Sequence, residues 1–115
     1  MARALIEKSW GREELITNES YCMKLLVYTR RIASSLHYHE RKHETFFVSS
    51  GVFELERWGN LTGEVKSYMR LVPGDRVILP PRTPHRIRCE IEGLIVEAST
   101  RDDPDDCVRI ERSET

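Results

Sequence analysis

The chain has 115 residues, a formal net charge of -1, 39% hydrophobic and 32% charged residues. That length suits one domain spanning residues 1–115, with a core large enough to stand without staples. The near-zero charge speaks against a nucleic-acid partner, and no stretch reaches the roughly 20 apolar residues of a membrane helix.

In chain order, Arg12 to Ile16 is the only helix candidate. Everything after it reads as short strands: "YCMKLLVYTR" (Tyr21 to Arg30), "ETFFVSS", "VFELERW", "EVKSYMRL", "DRVILP", "HRIRCE" and "GLIVEAST". Turn signals separate them, at Ser34 and Ser35, Ser49 to Gly51, Gly59 and Asn60, Gly63, Pro73 and Gly74, Pro80 and Pro81, Pro84 and Gly93. The acidic "RDDPDDC" (Arg101 to Cys107) reads as a solvated connection before a last short strand. Many short strands at regular spacing predict an all-β sandwich or barrel. The cysteines, Cys22, Cys89 and Cys107, are odd in number and scattered, with no C-x-x-C. They suit a reducing compartment better than a disulfide framework or a thiolate zinc site. The N-terminus has no apolar run of signal-peptide length, so the expected location is cytoplasmic.

Phase assigns faces. In "HRIRCE", His85, Ile87 and Cys89 share the apolar inward side, and Arg86, Arg88 and Glu90 share the other. His37 and His39 share a face. Glu44, Phe46 and Val48 share a face, which leaves His43 out of phase and at the rim. Arg86 and Arg88 are expected to be outward ion-pair partners.

His37, His39, His43 and Glu44 fall within eight residues. Two histidines at i and i+2 on a strand aim both imidazoles at one point. A carboxylate from the next strand and a third histidine from a distant one complete a three-nitrogen, one-oxygen set. Such a set suits Mn, Fe, Co, Ni, Cu or Zn with positions left open for a substrate. Taken singly, each histidine could equally be a satisfied core residue or a surface residue.

The wider spacing resembles the cupin family. His37, one residue, His39, four residues, Glu44, six residues and Gly51 match its first signature. Gly74, five residues, Pro80 and then His85 five further on match much of its second. The motifs occupy residues 36–51 and 74–89. Three positions depart from the pattern: Arg31 and Arg82 stand where glycines are expected, and Cys89 where an asparagine is. The resemblance implies an all-β double-stranded β-helix, a cupin or jelly-roll barrel. It also implies one divalent transition metal per chain (Mn, Zn, Ni, Co or Fe) held by His37, His39, Glu44 and His85.

The flanks, "KSWGREELI", "YCMKLL", "LIVEAST" and "DDPDDCVRIE", are similar to the sugar-isomerase branch of the cupins. That branch includes the cupin part of type II mannose-6-phosphate isomerases and the D-lyxose isomerases. This implies a sugar or sugar-phosphate aldose–ketose isomerase. The metal would bind two adjacent sugar oxygens as a Lewis acid, and a second group would shuttle the proton. Glu97, mid-strand in "LIVEAST", is the first candidate. Its facing is open, because Leu94, Val96 and Ala98 alternate with Ile95, Glu97 and Ser99. Lys24, amid apolar residues in "CMKLLV", is the candidate for holding a substrate oxygen or phosphate. Its alternative is a lysine guarding an edge strand. Two other functions share the scaffold: a non-catalytic cupin that binds a sugar or nucleotide sugar or serves as an accessory to another enzyme, and an iron-dependent dioxygenase. Small cupins commonly pair, so the resemblance implies a homodimer. Trp10, Phe47, Phe53 and Trp58 are large apolar residues that one barrel interior need not absorb.

Overall fold

The computed structural model describes residues 4–115. They form nine strands and no helix: β1 (Ala4–Lys8), β2 (Gly11–Asn18), β3 (Cys22–Tyr28), β4 (Leu36–Tyr38), β5 (Glu44–Trp58), β6 (Lys66–Leu71), β7 (Arg76–Leu79), β8 (His85–Ser99) and β9 (Val108–Glu111). No helix among them is therefore long and apolar enough to cross a membrane.

The strands make one continuous antiparallel sheet that curls into two layers, because β5 and β8 each serve both. One layer runs β1-β2-β3-β8-β5-β7, using Gly93–Ser99 of β8 and the first half of β5. The other runs β9-β4-β8-β5-β6, using the first half of β8 and the second half of β5. This is the all-β architecture expected from the strand pattern, in the jelly-roll form that the resemblance implies.

Two expected turns are bends instead. Ser49 to Gly51 and Gly93 do not reverse the chain. Each lies inside a 15-residue strand, where β5 and β8 shift register against one another. Gly51 has φ +85°, a left-handed conformation suited to glycine. A Cβ on Gly93 would sit 2.2 Å from the Ser50 carbonyl oxygen. The two glycines thus let the strands touch backbone to backbone while they cross from one layer to the other. Gly93→Ala is expected to cost about 2 kcal/mol or more. A urea midpoint unchanged from wild type would contradict this account of the bend.

The helix expected over Arg12 to Ile16 is strand. Glu, Leu and Arg are good helix formers, but intrinsic propensity is a weak preference that tertiary context overrides. Here ladder bonds to β1 on one side and β3 on the other decide the conformation. Lys24 consequently lies on an interior strand, between β2 and β8, so it guards no edge.

The core fills the space between the layers with Trp10, Leu26, Tyr28, Phe46, Val48, Phe53, Leu55, Leu71, Leu79, Ile87 and Ile95, all buried. Burying each large side chain contributes roughly 1.5–3 kcal/mol. Trp10 stacks on Tyr28 at 4.2 Å between centroids, and Tyr28 meets Phe53 edge-on at 5.0 Å. The barrel therefore absorbs Trp10 and Phe53, and Phe47 is left exposed on the outer face.

Candidate metal centre and its cavity

β4 and β8 bring His37 directly opposite His85, with ring centroids 4.7 Å apart. His39 follows one residue beyond β4, its ring 5.1 Å from that of His37. Glu44 opens β5 and enters from the other layer. The ligand atoms of His37, His39 and Glu44 all lie within 4.8 Å of one another. Glu44 Oε2 is 3.6 Å from His39 Nε2 and 3.1 Å from His85 Nε2. All four expected ligand residues thus converge at one end of the barrel. His43 is out of phase and exposed, as expected.

Hydrogen bonds orient the imidazoles. His39 Nδ1 donates to the Asp106 carbonyl (2.5 Å) and His85 Nδ1 to the Thr83 carbonyl (2.9 Å). His37 Nδ1 lies 2.9 Å from Ser35 Oγ and 3.2 Å from the Ser35 carbonyl. A carbonyl only accepts, so these contacts place the proton on Nδ1 and turn the Nε2 lone pair toward the cluster. Glu44 Oε2 and His85 Nε2 are buried, and neither makes a well-formed hydrogen bond. A buried carboxylate oxygen and an imidazole nitrogen left in this state fit a divalent cation between them.

The electrostatics agree. Burial, helped by the neighbouring His85, pushes the His37 imidazole down to about 3, so it is neutral and able to ligate. Burial opposes charge on Glu44, but His85 and Lys42 outweigh it and hold the carboxyl below its usual range. Burial likewise opposes charge on His85, and Glu44 outweighs it. A proton and a metal ion therefore compete for the same pair of atoms.

Asp106 holds the connection between the two halves of the first motif. Its carboxylate accepts from the backbone N–H groups of Glu40 (2.8 Å), Arg41 (3.1 Å) and Lys42 (3.0 Å). Its carbonyl orients His39. The segment expected to be a solvated connection is therefore half structural: Asp106 is buried, and Asp102 pairs with two lysines. The last short strand does follow it, as β9.

The second signature's Arg82 has φ +60°, the left-handed conformation for which the family pattern has glycine. Its N–H donates to the His39 carbonyl (2.7 Å), and its guanidinium pairs with Glu40 (2.7 Å). Arg31 needs no such conformation; it is exposed and pairs with Glu92. Cys89 is simply core.

Glu97 faces inward, only 4% exposed, which resolves the alternation of "LIVEAST". Lys24 faces inward from the register-matched position on β3. Between Glu97 and the histidine cluster stands Lys42, a residue the sequence reading passed over. Its Nζ lies 2.7 Å from Glu97 Oε2, 2.8 Å from Asp102 Oδ1 and 3.5 Å from Glu44 Oε1. The missed signal was phase: Lys42 precedes Glu44, Phe46 and Val48 at the same two-residue spacing. Lys24 is already engaged by Asp102 (3.2 Å) and Glu13 (3.4 Å). Arg86 and Arg88 point outward to Glu111 and Glu114, as expected. Burial and the nearby Glu44 charge push the Glu97 carboxyl up, against the pull of Lys42.

A cavity of about 260 Å³ opens onto these groups. Its lining combines Trp10, Tyr28 and Phe46 with Lys24, Lys42 and Glu97. Apolar walls with a few convergent polar groups are the usual form of a small-molecule site.

The sequence matches the Cupin domain family over residues 28–97. No curated protein matches it. Three solved structures share the fold at low identity. The capsular polysaccharide assembling protein CapF from Staphylococcus aureus superposes at TM-score 0.83 and 16% identity, covering 96% of this chain and 32% of that one. KdgF from Halomonas sp. superposes at 0.69 and 23%, covering 82% and 81%. Oxalate decarboxylase OxdC from Bacillus subtilis, in its S161A mutant, superposes at 0.76 and 18%, covering 93% and 30%. The chain spans about a third of the length of CapF and of the decarboxylase. The family match takes in the histidine pair, Glu44, His85 and both glycine bends, and the chain belongs to the cupin family.

Proposed function

We propose that this cupin is a metal-dependent aldose–ketose isomerase of a sugar or sugar phosphate. His37, His39, Glu44 and His85 hold one divalent transition metal, and Glu97 moves the proton. The observation that carries the reading is Glu97 itself: a buried carboxyl on the cavity wall, joined to the metal cluster through a single lysine.

His37, His39, Glu44 and His85 would hold a divalent ion, which when bound would supply Lewis acidity toward the substrate's oxygens. Lys42 and the Ser99 hydroxyl both bind Glu97 Oε2, at 2.7 and 2.9 Å, which leaves Oε1 for the proton. Glu97 takes that proton from the carbon beside the substrate carbonyl and returns it to the carbonyl carbon, while the hydroxyl proton passes from O2 to O1, so that the aldose becomes the ketose with no net change in protons. Burial pushes the Glu97 carboxyl up, which favours a group that must both accept and donate a proton. Trp10, Tyr28 and Phe46 keep bulk water from the reacting carbons. Lys24, paired with two carboxylates, orders the wall beneath Glu97. The likeness to OxdC, which has Mn(II) centres, supports the choice of metal chemistry.

The test is solvent exchange. Mn-loaded protein incubated in heavy water with aldoses and their phosphates is expected to place deuterium at C2 of one of them. Glu97→Gln is expected to slow this by about 10²-fold or more. No deuterium in any sugar would overturn the isomerase. Oxygen uptake by the iron-loaded form would replace it with a dioxygenase.

A further inference from the structure

The cavity's cations are not equivalent. Lys42 is held by three carboxylates, Lys24 by two, and Lys8 lies 3.8 Å from Glu13. Asp103, also on the wall, is taken by Arg41 from outside (3.2 Å). Arg109 is different. It lines the cavity, is exposed, and its guanidinium has neither a carboxylate at ion-pair distance nor a hydrogen-bond partner among the described residues.

Its place in the fold is equally specific. Arg109 lies on β9 directly opposite His37 on β4. Residues opposed across an antiparallel pair project to the same face, with Cβ atoms about 5 Å apart. The unpaired guanidinium therefore stands at the cavity mouth, next to the histidine cluster and on its side of the sheet. A guanidinium presents a fork of N–H donors that matches the oxygens of a phosphate or carboxylate. The lysines deeper in the wall cannot serve this purpose without giving up the carboxylates that neutralise them.

We infer that Arg109 anchors an anionic group of the substrate, so that the site selects sugars carrying a phosphate or a carboxylate over neutral ones. This rests on the sugar-site reading above and adds to it the class of sugar. The anion sits at the mouth on Arg109, and the carbonyl end of the same molecule lies deeper, between the metal cluster and Glu97.

The experiment uses the Mn-loaded full chain and three matched ligands: an aldohexose, its 6-phosphate and its 6-carboxylate. Affinities are measured by calorimetry, and C2 exchange is followed in heavy water in parallel. At least one anionic ligand is expected to bind about tenfold or more tightly than the neutral sugar. In Arg109→Gln that ratio is expected to collapse toward one, with metal content and melting temperature as in wild type. Arg109→Lys is expected to recover part of it. Comparing the phosphate with the carboxylate identifies which anion the mouth takes. Equal affinity for neutral and anionic sugars in the wild type, or an unchanged ratio in Arg109→Gln, would overturn the proposal. The two readings fail separately. Anion preference through Arg109 without C2 exchange removes the isomerase and keeps the anchor. Exchange on neutral and anionic sugars alike, with no affinity preference, does the reverse.

Discussion

Purified protein reconstituted with a divalent transition metal is expected to hold about one ion per chain, and His37→Ala and His85→Ala are each expected to lose it. The two residues come from different strands, face one another, and contribute separate nitrogens to the cluster. Removing either breaks the three-nitrogen set. Disturbing even an outer hydrogen bond of a metal-ligating histidine costs 10- to 100-fold in affinity, and loss of the imidazole itself costs more. Elemental mass spectrometry reads the result directly. Thermal melting gives an independent measure. Free metal at a hundred times its Kd stabilises the folded state by about 2.7 kcal/mol, roughly 10 °C in Tm for a chain of this size. That rise is expected in the wild type and absent in both variants. A wild type that retains no metal, or two variants that retain it fully, would remove the ligand assignment.

Lys42→Met is expected to lower stability by about 3–5 kcal/mol, the usual cost of removing one partner from a buried ion pair. The side chain is 2% exposed and faces Glu97, Asp102 and Glu44 at 2.7, 2.8 and 3.5 Å. Burial works against its charge, and the surrounding carboxylates more than restore it, so Lys42 stays protonated well past the usual lysine range. Methionine keeps the length and removes the charge, leaving those carboxylates uncompensated. The double variant Lys42→Met, Glu97→Gln separates charge from packing. Neutralising Glu97 is expected to recover 1 kcal/mol or more, as a coupling energy between contacting groups. Urea denaturation of the four proteins measures the cycle. Additive effects would mean that the two side chains do not form a unit.

Much of the site was legible because its spacing is local. Two histidines at i and i+2, a glutamate five residues on and a glycine at the end of the run are short-range facts about strand geometry. The facing of His85 followed from the alternation of "HRIRCE", and the outward Arg86 and Arg88 from the same alternation. Phase would also have found Lys42, had the rule that placed Glu44, Phe46 and Val48 been carried two residues back.

Other features depend on partners that are distant in sequence. Lys42 is neutralised by Asp102, 60 residues away, and the loop that carries it is held by Asp106. Nothing in "RDDPDDC" itself separates the buried Asp106 and the half-buried Asp102 from a solvated turn. The helix expected at Arg12 to Ile16 yielded to ladder bonds from two neighbouring strands. Gly51 and Gly93 carried ordinary turn chemistry, yet they mark a bend, because each faces the other strand's backbone at contact distance. By itself, the sequence determined an all-β sandwich or barrel, since alternation and turn chemistry act over a few residues, and its resemblance to the cupin motifs implied which four side chains could share a metal. Only the tertiary structure decided which charges are buried together, which way Glu97 and Lys24 point, and that the Arg109 guanidinium has no partner among the described residues. Burial and charge compensation are properties of the packed chain, and they arise where segments far apart in sequence meet.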